Sequence, residues 1–308
     1  MATRSVTPQS PELFNNYFSN ISSNLDRDIP HSNTSTLYFL GAPVENSFFY
    51  SPSDSEEIFN LIRGQMSKST DIKNIPAFIY KILAPLIAPT VSMLYNNSLS
   101  EGIFPECFKT AKIICIFKSG DSNSTANCRP ISMLPFLSKM FEKLMCTRLD
   151  SYLKSSNILC RNQFGFRKNS NTSDAIIEFL DYVYSSLEKK STIAVYLDFS
   201  KAIDTVNHKI LMSKLLHNGI RGVMLSWFKS YLSNRKQYVS IKNFSSSMSN
   251  ITLGLCQTFR KAQCWAQYFF FCTSMTCIDP QTSCALFILL TIQQFLHPTV
   301  TLKVFMPQ

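Results

Sequence analysis

The sequence predicts a mixed α+β protein. Segments with apolar residues at helical spacing, such as "LSKMFEKLMCTRLDSYLKSSN" (137–157), alternate with short β-branched runs such as "TIAVYL" (192–197). A period near 3.6 residues is typical of amphipathic helices, and a short apolar run bounded by turn residues is typical of a buried strand. These patterned segments fill the middle of the chain, so we expect a folded region between two less regular ends.

The two ends differ in composition. Residues 1–55 are rich in Ser, Asn, Thr and Pro and are expected to form a disordered or weakly helical leader, with one amphipathic helix around "PELFNNYFSNISSNL". Residues 255–308 contain only four charged residues and have neither helical nor strand periodicity. This tail has the pattern of neither a soluble domain nor a membrane anchor.

Helices and a basic turn follow the leader. Residues 56–99 have helical spacing and form a predicted helical linker. "TAKIICIFKSGDS" (110–122) then predicts a strand that runs into a turn, with Lys118, Gly120 and Asp121 at its tip.

Two amphipathic helices come next. The apolar side of the first carries Met140, Leu144 and Leu149, and its polar side carries Lys139, Lys143 and Arg148. "SDAIIEFLDYVYSSLEKK" predicts the second, with Ser173 as its N-cap.

The strand predicted at 192–197 ends at an aspartate, Asp198, and a second aspartate, Asp204, lies in the helix predicted after it. Ser200 is expected to cap that helix, whose apolar side carries Ile203, Val206, Ile210 and Leu211. The helix should stop at Asn218-Gly219, and "QYVSIKN" and "SMSNITLG" predict a strand pair near 237–254.

Asp198 has two interpretations. A carboxylate at a helix N-terminus stabilises the helix by about 0.3 to 1 kcal/mol. A carboxylate at the end of a buried strand can instead hold a hard cation such as Mg²⁺. The strand alone leaves both interpretations open.

Charge and cysteine usage indicate which partners and which cellular location the protein is expected to have. The 308 residues carry a formal net charge of +10, although only 16% are charged, against about 25% in ordinary soluble domains. This balance favours a surface that faces a polyanion, and the alternative is an unremarkable set of surface lysines. The ten cysteines are scattered without zinc spacing, and we find no signal peptide or transmembrane segment. We therefore expect reduced cysteines and an intracellular location, in the nucleus or cytoplasm, without a membrane.

Three long blocks, in order, resemble the reverse transcriptases of non-LTR retrotransposons, the LINE-like elements of the jockey type. They are residues 103–149, residues 162–176 with "NQFGFR", and residues 195–222 with "VYLDFSKAIDTVNHKIL". The resemblance implies a right-hand polymerase with fingers at 100–190 and a partial palm at 191–254. It also implies RNA-directed DNA synthesis with two Mg²⁺ ions, an RNA template, a DNA primer and deoxynucleoside triphosphates.

The resemblance assigns roles to individual residues. Asp198 matches the first catalytic, metal-binding aspartate, and Phe199 matches the neighbour whose backbone completes the metal site. Lys118 and Arg129 match basic residues that contact the triphosphate of the incoming nucleotide, together with Phe199 and Ile203 at the nucleotide. Gln163, Gly165 and Arg167 match residues along the template. Without the resemblance, Arg129 could serve only an ion pair and Gly165 only a turn, and Asp204 is expected to be structural.

The sequence departs from the family in two places. Ile203 stands where the family has an aromatic residue that helps to exclude the ribose 2′-hydroxyl. The "GVPQGS.LGP" block and the paired "ADD" carboxylates are absent from the chain. One aspartate cannot clamp two divalent ions, so we expect the chain to be catalytically incomplete as translated.

The missing blocks can be recovered from a shifted reading frame. When the third base of each codon is read with the first two of the next, Thr258 to Gln267 can encode V-P-Q-G-S-V-L-G-P, and Ile288 to Ile292 can encode F-A-D-D. Some letters are forced, since Met275-Thr276 must give Asp. The hypothesis is a frameshift, or a splice-prediction error, between about 254 and 259, which makes 255–308 an out-of-frame tail.

Three rival hypotheses remain. A genuine apolar tail could bind a membrane or a partner. The chain could be a non-catalytic nucleic-acid-binding remnant that uses its basic fingers. It could also fail to fold, because half a palm leaves unpaired strand edges.

Overall fold

The mixed α+β prediction is confirmed. The computed structural model describes residues 10–27, 42–66, 70–121, 124–159, 164, 167, 169–187, 194–196, 206–241, 244–250 and 303–305. The helices are α1 (Pro11–Arg27), α2 (Ser55–Arg63), α3 (Ala77–Glu101), α4 (Phe136–Ser155), α5 (Thr172–Leu187), α6 (His208–His217) and α7 (Gly222–Leu232). The strands are β1 (Thr110–Phe117), β2 (Cys128–Met133), β3 (Ala194–Tyr196), β4 (Lys236–Ile241), β5 (Phe244–Ser245), β6 (Ser249–Asn250) and β7 (Lys303–Phe305).

The larger sheet has β1 at its centre. β1 pairs antiparallel with β2 in a hairpin and parallel with β4, and β4 pairs antiparallel with β5 and β6. The parallel register joins Lys112 to Tyr238 although they lie 126 positions apart in the sequence. A separate two-stranded sheet pairs β3 with β7.

The two faces of the larger sheet differ in burial. On one face Ala111, Ile113 and Val239 are fully buried and join the hydrophobic core. On the other face the side chains are partly exposed. Burial therefore alternates from residue to residue along β1, β2 and β4. We call this second side the open face; it carries Thr110, Lys112, Ile114, Ile116, Arg129, Ile131, Met133, Lys236, Tyr238 and Ser240.

Aromatic side chains from α4, from α7 and from the connection after α3 pack together in the core. Phe104 makes edge contacts with Phe141 of α4 and with Trp227 and Tyr231 of α7, at centroid distances of 6.3, 5.4 and 4.9 Å. The indole N–H of Trp227 donates to Ser98 Oγ at 2.9 Å. Trp227, Phe228 and Tyr231 are fully buried in this core, whereas Tyr238 of β4 is only partly buried.

The segment before α2 is tied to the rest of the protein. Residues 42–53 run across α4 and the α6–α7 connection, where Phe48 N–H donates to Gly219 O at 2.9 Å. The guanidinium of Arg148 donates to Ser51 O at 2.6 Å and to both carboxylate oxygens of Glu57 at 3.0 and 2.8 Å. Arg148 was predicted on the polar side of α4; it is instead largely covered by this segment.

Helix α3 is long and apolar enough to cross a membrane. Among the described residues, no other helix meets these criteria. Core helices of soluble proteins can meet the same criteria. Here Val91, Tyr95 and Leu99 lie in the core shared with α4 and α7, whereas Ile82 and Leu86 are exposed.

Helix caps account for two differences from the sequence predictions. Asn171, not Ser173, caps α5: its Oδ1 accepts from Asp174 N–H at 3.0 Å, and Asp174 Oδ2 accepts from Asn171 N–H at 2.9 Å. Helix α6 begins at His208 with Asn207 as its cap, while Ser200 lies outside the described residues. Asn and Ser are both good caps, so the local sequence alone could not choose between neighbouring candidates.

Candidate functional site

The basic residues Lys118 and Arg129 lie on the β1–β2 hairpin. Lys118 follows the end of β1, and its backbone N–H donates to Asn127 O at 2.8 Å. Arg129 on β2 pairs with Ile116, two residues before Lys118. Because the antiparallel register continues to Lys118 and Asn127, Lys118 and Arg129 are diagonal neighbours on the open face, with a spacing of about 7 to 8 Å between such positions. The hairpin therefore brings the two predicted triphosphate contacts together.

The turn after Lys118 is held by Asn127. The side-chain amide of Asn127 donates to Asp121 O at 3.0 Å and closes the loop. Gly120 has φ +90°, and a Cβ at this position would lie 2.9 Å from Asn127 Nδ2. A glycine is therefore required for this turn to keep its shape beside Lys118.

The predicted template residues are described only in part. Arg167 is described, and its carbonyl accepts from Ser170 N–H at 3.2 Å just before α5. Gln163 and Gly165 lie outside the described residues, so their predicted roles remain predictions.

The predicted metal site also lies outside the described residues. β3 is described up to Tyr196, but Asp198, Phe199, Ile203 and Asp204 are not. Within the ranges that the structure describes, no three His, Cys, Asp or Glu side chains come close enough to hold a metal ion. The described residues therefore do not test the fit of Mg²⁺ at Asp198.

The open face carries further cations that the sequence analysis did not select. Lys112 and Lys236 lie on it together with Tyr238, at the end of the sheet away from Lys118. The strands β1, β2 and β4 contain no Asp or Glu. The alternation in "TAKIICIF" and "KQYVSI" could have shown which residues of each strand share a face. It could not show that the two strands are neighbours, because their parallel pairing joins distant parts of the sequence.

A buried carboxyl lies beneath the sheet. Glu142 of α4 is 2% exposed, and its Oε1 accepts from the Tyr231 hydroxyl at 3.0 Å. Burial raises the pKa of Glu142 to about 6, opposed by the charge of Arg235 and by the Tyr231 hydrogen bond. On β1, burial raises the pKa of the Cys115 thiol to about 12, so this thiol stays protonated at neutral pH.

Comparison with known proteins gives the family of this region. Residues 116–262 match the family "reverse transcriptase (RNA-dependent DNA polymerase)". The chain is 32% identical over 214 residues to a protein from Drosophila melanogaster described as a probable RNA-directed DNA polymerase from transposon BS, covering 68% of this chain and 23% of the relative. It is 28% identical over 222 residues to the RNA-directed DNA polymerase from mobile element jockey of the same species, covering 71% of this chain and 24% of the relative.

A third relative widens the comparison beyond Drosophila. The chain is 30% identical over 147 residues to a Pol polyprotein from the type-1 retrotransposable element R1 of Bradysia coprophila, covering 47% of this chain and 14% of the relative. The chain thus spans less than a quarter of the length of the curated relatives it matches. It carries a reverse transcriptase domain, and it belongs to the reverse transcriptases of non-LTR retrotransposons.

Proposed function

We propose that this chain is the fingers and partial palm of an RNA-directed DNA polymerase, and that as translated it binds nucleotide and nucleic acid without polymerising. The observation that carries the binding half of the proposal is the diagonal placement of Lys118 and Arg129 on the β1–β2 hairpin. Arg can hold a phosphate through two parallel N–H donors, and Lys adds a point charge beside it. A triphosphate is therefore the ligand that fits this pair.

The metal half of the active site is incomplete in the sequence. After Asp204, the only carboxylate side chain in the chain is Asp279. Two divalent ions held for an in-line displacement need several carboxylate oxygens, because Mg²⁺ takes hard oxygen ligands in octahedral geometry. If Asp198 holds one ion as the family resemblance implies, its partner carboxylates are not among the residues of this sequence.

Two observations support the frameshift hypothesis as the cause. The family match ends at residue 262, close to the junction proposed between about 254 and 259. On α5, Ile176, Ile177 and Tyr184 are 47%, 65% and 68% exposed, so an amphipathic helix presents its apolar residues to solvent. Exposed apolar patches mark surfaces that normally pack against another element. On the frameshift hypothesis, that element is the part of the palm encoded in the other frame.

The genomic DNA tests the cause directly. We expect the frame read from the third base of the Thr258 codon to encode the V-P-Q-G block and then F-A-D-D without a stop between them. A locus whose other frames lack these blocks would reject the frameshift hypothesis and favour a genuine apolar tail.

A primer-extension assay tests the loss of activity. The full chain, with an RNA template, a DNA primer, all four deoxynucleoside triphosphates and Mg²⁺ or Mn²⁺, should give no template-dependent incorporation. Clear extension of the primer would show that the chain completes its metal site in another way.

The second candidate function is a non-catalytic nucleic-acid-binding protein. The net charge of +10 and the absence of acidic residues from β1, β2 and β4 favour it. RNA binding that weakens with salt and with substitution of Lys118 and Arg129, in a chain that does not extend primers, would identify this function.

A further inference from the structure

We propose that the open face of the sheet binds single-stranded polynucleotide, with phosphates held by Lys112 and Lys236 and a base stacked on Tyr238. This inference rests on the proposed function and extends it to the end of the sheet away from Lys118 and Arg129. It concerns residues of β1 and β4 to which neither the family resemblance nor the sequence analysis gave a role.

The register of the sheet brings these side chains together. Lys112 of β1 pairs with Tyr238 of β4, and Thr110 pairs with Lys236. Residues two apart on one strand share a face, and neighbouring strands lie about 4.8 Å apart. Lys112, Lys236 and Tyr238 therefore form one compact group on the open face.

An apolar strip separates this group from the basic hairpin. Ile114 and Ile116 lie between Lys112 and Lys118 on the open face and are 36% and 47% exposed. The six residue-to-residue steps from Lys112 to Lys118 span about 20 Å of strand. That length suits several nucleotides, since stacked nucleotides advance by about 3.4 Å along one strand.

The charge of the face selects the occupant. Cations stand at both ends of the apolar strip, and the three strands contribute no carboxylate. No ion pair joins Lys112 or Lys236 to an acidic residue within the described part of the chain. Phosphates fit the cations, while unpaired bases fit the exposed aliphatic and aromatic surface between them. A duplex would present only its backbone to this face and leave the apolar strip uncovered.

Binding of a labelled RNA tests the inference. The full chain is titrated into a fluorescein-labelled single-stranded RNA of about 12 nucleotides, within the usual range of single-strand site sizes, and anisotropy is read at several KCl concentrations. Lys112→Gln and Lys236→Gln should each reduce the slope of log affinity against log salt by about 0.7, the value for one lost phosphate contact on a single strand. Tyr238→Ile should weaken binding about tenfold and leave the slope unchanged.

Lys143→Gln is the matched control, because Lys143 is an exposed lysine of α4 outside the sheet. It should change neither affinity nor slope. The thermal unfolding midpoint of each variant is measured first; if Tyr238→Ile lowers it, the two lysine variants decide the outcome.

The outcomes separate this inference from the proposed function. If the chain without substitutions binds no RNA, both this inference and the proposed nucleic-acid binding are overturned. A second outcome would overturn this inference alone. In it, the unsubstituted chain binds RNA, the double variant Lys118→Gln with Arg129→Gln loses affinity, and the Lys112→Gln and Lys236→Gln variants keep the salt dependence of the unsubstituted chain. Competition by polyglutamate as effective as competition by unlabelled RNA of equal charge would also overturn it, because no base contact would then be involved.

Discussion

Arg148 of α4 holds Glu57 of α2 with two parallel hydrogen bonds, from Nη1 to Oε1 at 3.0 Å and from Nη2 to Oε2 at 2.8 Å. The same guanidinium donates to Ser51 O and Pro52 O and lies 5.6 Å from the centroid of the Tyr95 ring. One side chain thus fastens the segment before α2, α2 itself and α3 to α4. Its planar fork matches these acceptors in a way that a lysine cannot.

Arg148→Lys should therefore lower the free energy of unfolding by about 2 kcal/mol, since hydrogen bonds to charged groups contribute about 1.5 to 3 kcal/mol each and a lysine can keep only part of them. Urea denaturation followed by circular dichroism measures the change. Arg63→Lys is the control, because Arg63 is an exposed arginine that lies over the Phe59 ring. Equal effects of the two variants would mean that the Arg148 contacts do not stabilise the fold.

The pH dependence of stability should report Glu142. Its pKa in the folded chain is about 6, above the ordinary 4.5, because burial disfavours the carboxylate. The folded state then binds more protons than the unfolded state between these values, so stability falls by about 2 kcal/mol as the pH rises from about 4.5 to 6.

Glu142→Gln should flatten that part of the stability profile. Tyr231→Phe removes a hydrogen bond that lowers the pKa, so it should move the transition to higher pH. The groups facing the carboxyl are Arg235, Lys139, Tyr231 and Ser138. Chemical denaturation at a series of pH values measures the profile, and a slope that persists in Glu142→Gln would assign it to another group.

The ion pair between Arg148 and Glu57 shows how far the sequence could predict the fold. Periodicity predicted α4 and β1, and the Asn218-Gly219 pair predicted the helix stop, because each depends on residues close together in the chain. Arg148 and Glu57 lie 91 positions apart, and the β1–β4 pairing joins residues still farther apart. Nothing local marks such partners. The site divides in the same way. β1 and the turn at Lys118 were predicted from the local sequence, but β2, which carries Arg129, was not, and the placement of Lys112 and Tyr238 on one face follows only from the sheet.

Two glycines at the α6–α7 connection provide a matched test of backbone and packing effects. Both have positive φ, +83° at Gly219 and +57° at Gly222. A Cβ at Gly219 would overlap the Tyr152 hydroxyl and Asn46 O, whereas a Cβ at Gly222 would meet nothing within 4 Å. Gly222→Ala should cost only the backbone strain of about 1 kcal/mol. Gly219→Ala should cost several times more, because the segment carrying Asn46 must move away; equal urea midpoints for the two variants would contradict this.

Triphosphate binding should depend on the hairpin pair. Arg129→Gln and Lys118→Gln should each weaken binding of a fluorescent deoxynucleoside triphosphate about tenfold or more, as expected when a hydrogen bond to a charged group is lost. Equilibrium titration in the presence of Mg²⁺ measures the affinity. Arg63→Gln removes an exposed arginine elsewhere and should have no effect. Unchanged affinity in both hairpin variants would remove Lys118 and Arg129 from the proposed nucleotide site.

Restoring the reading frame should restore the palm. In the test gene, the Gly254 codon is followed directly by the third base of the Thr258 codon, so that the frameshift hypothesis expects V-P-Q-G and F-A-D-D to be translated. On that hypothesis the product should regain carboxylates that can share divalent ions with Asp198, and it should gain apolar segments able to cover α5.

Two readouts distinguish these consequences. Hydrogen exchange of residues 172–187 should slow in the restored chain relative to the chain as translated, because α5 then loses its exposed apolar side. Primer extension should appear in the restored chain and vanish on Asp198→Asn, which keeps the shape of the side chain but removes its charge. Extension that survives Asp198→Asn would exclude Asp198 from the metal site. Slower exchange without extension would mean that the palm folds but lacks another part of the longer polymerase, since this chain spans less than a quarter of its curated relatives.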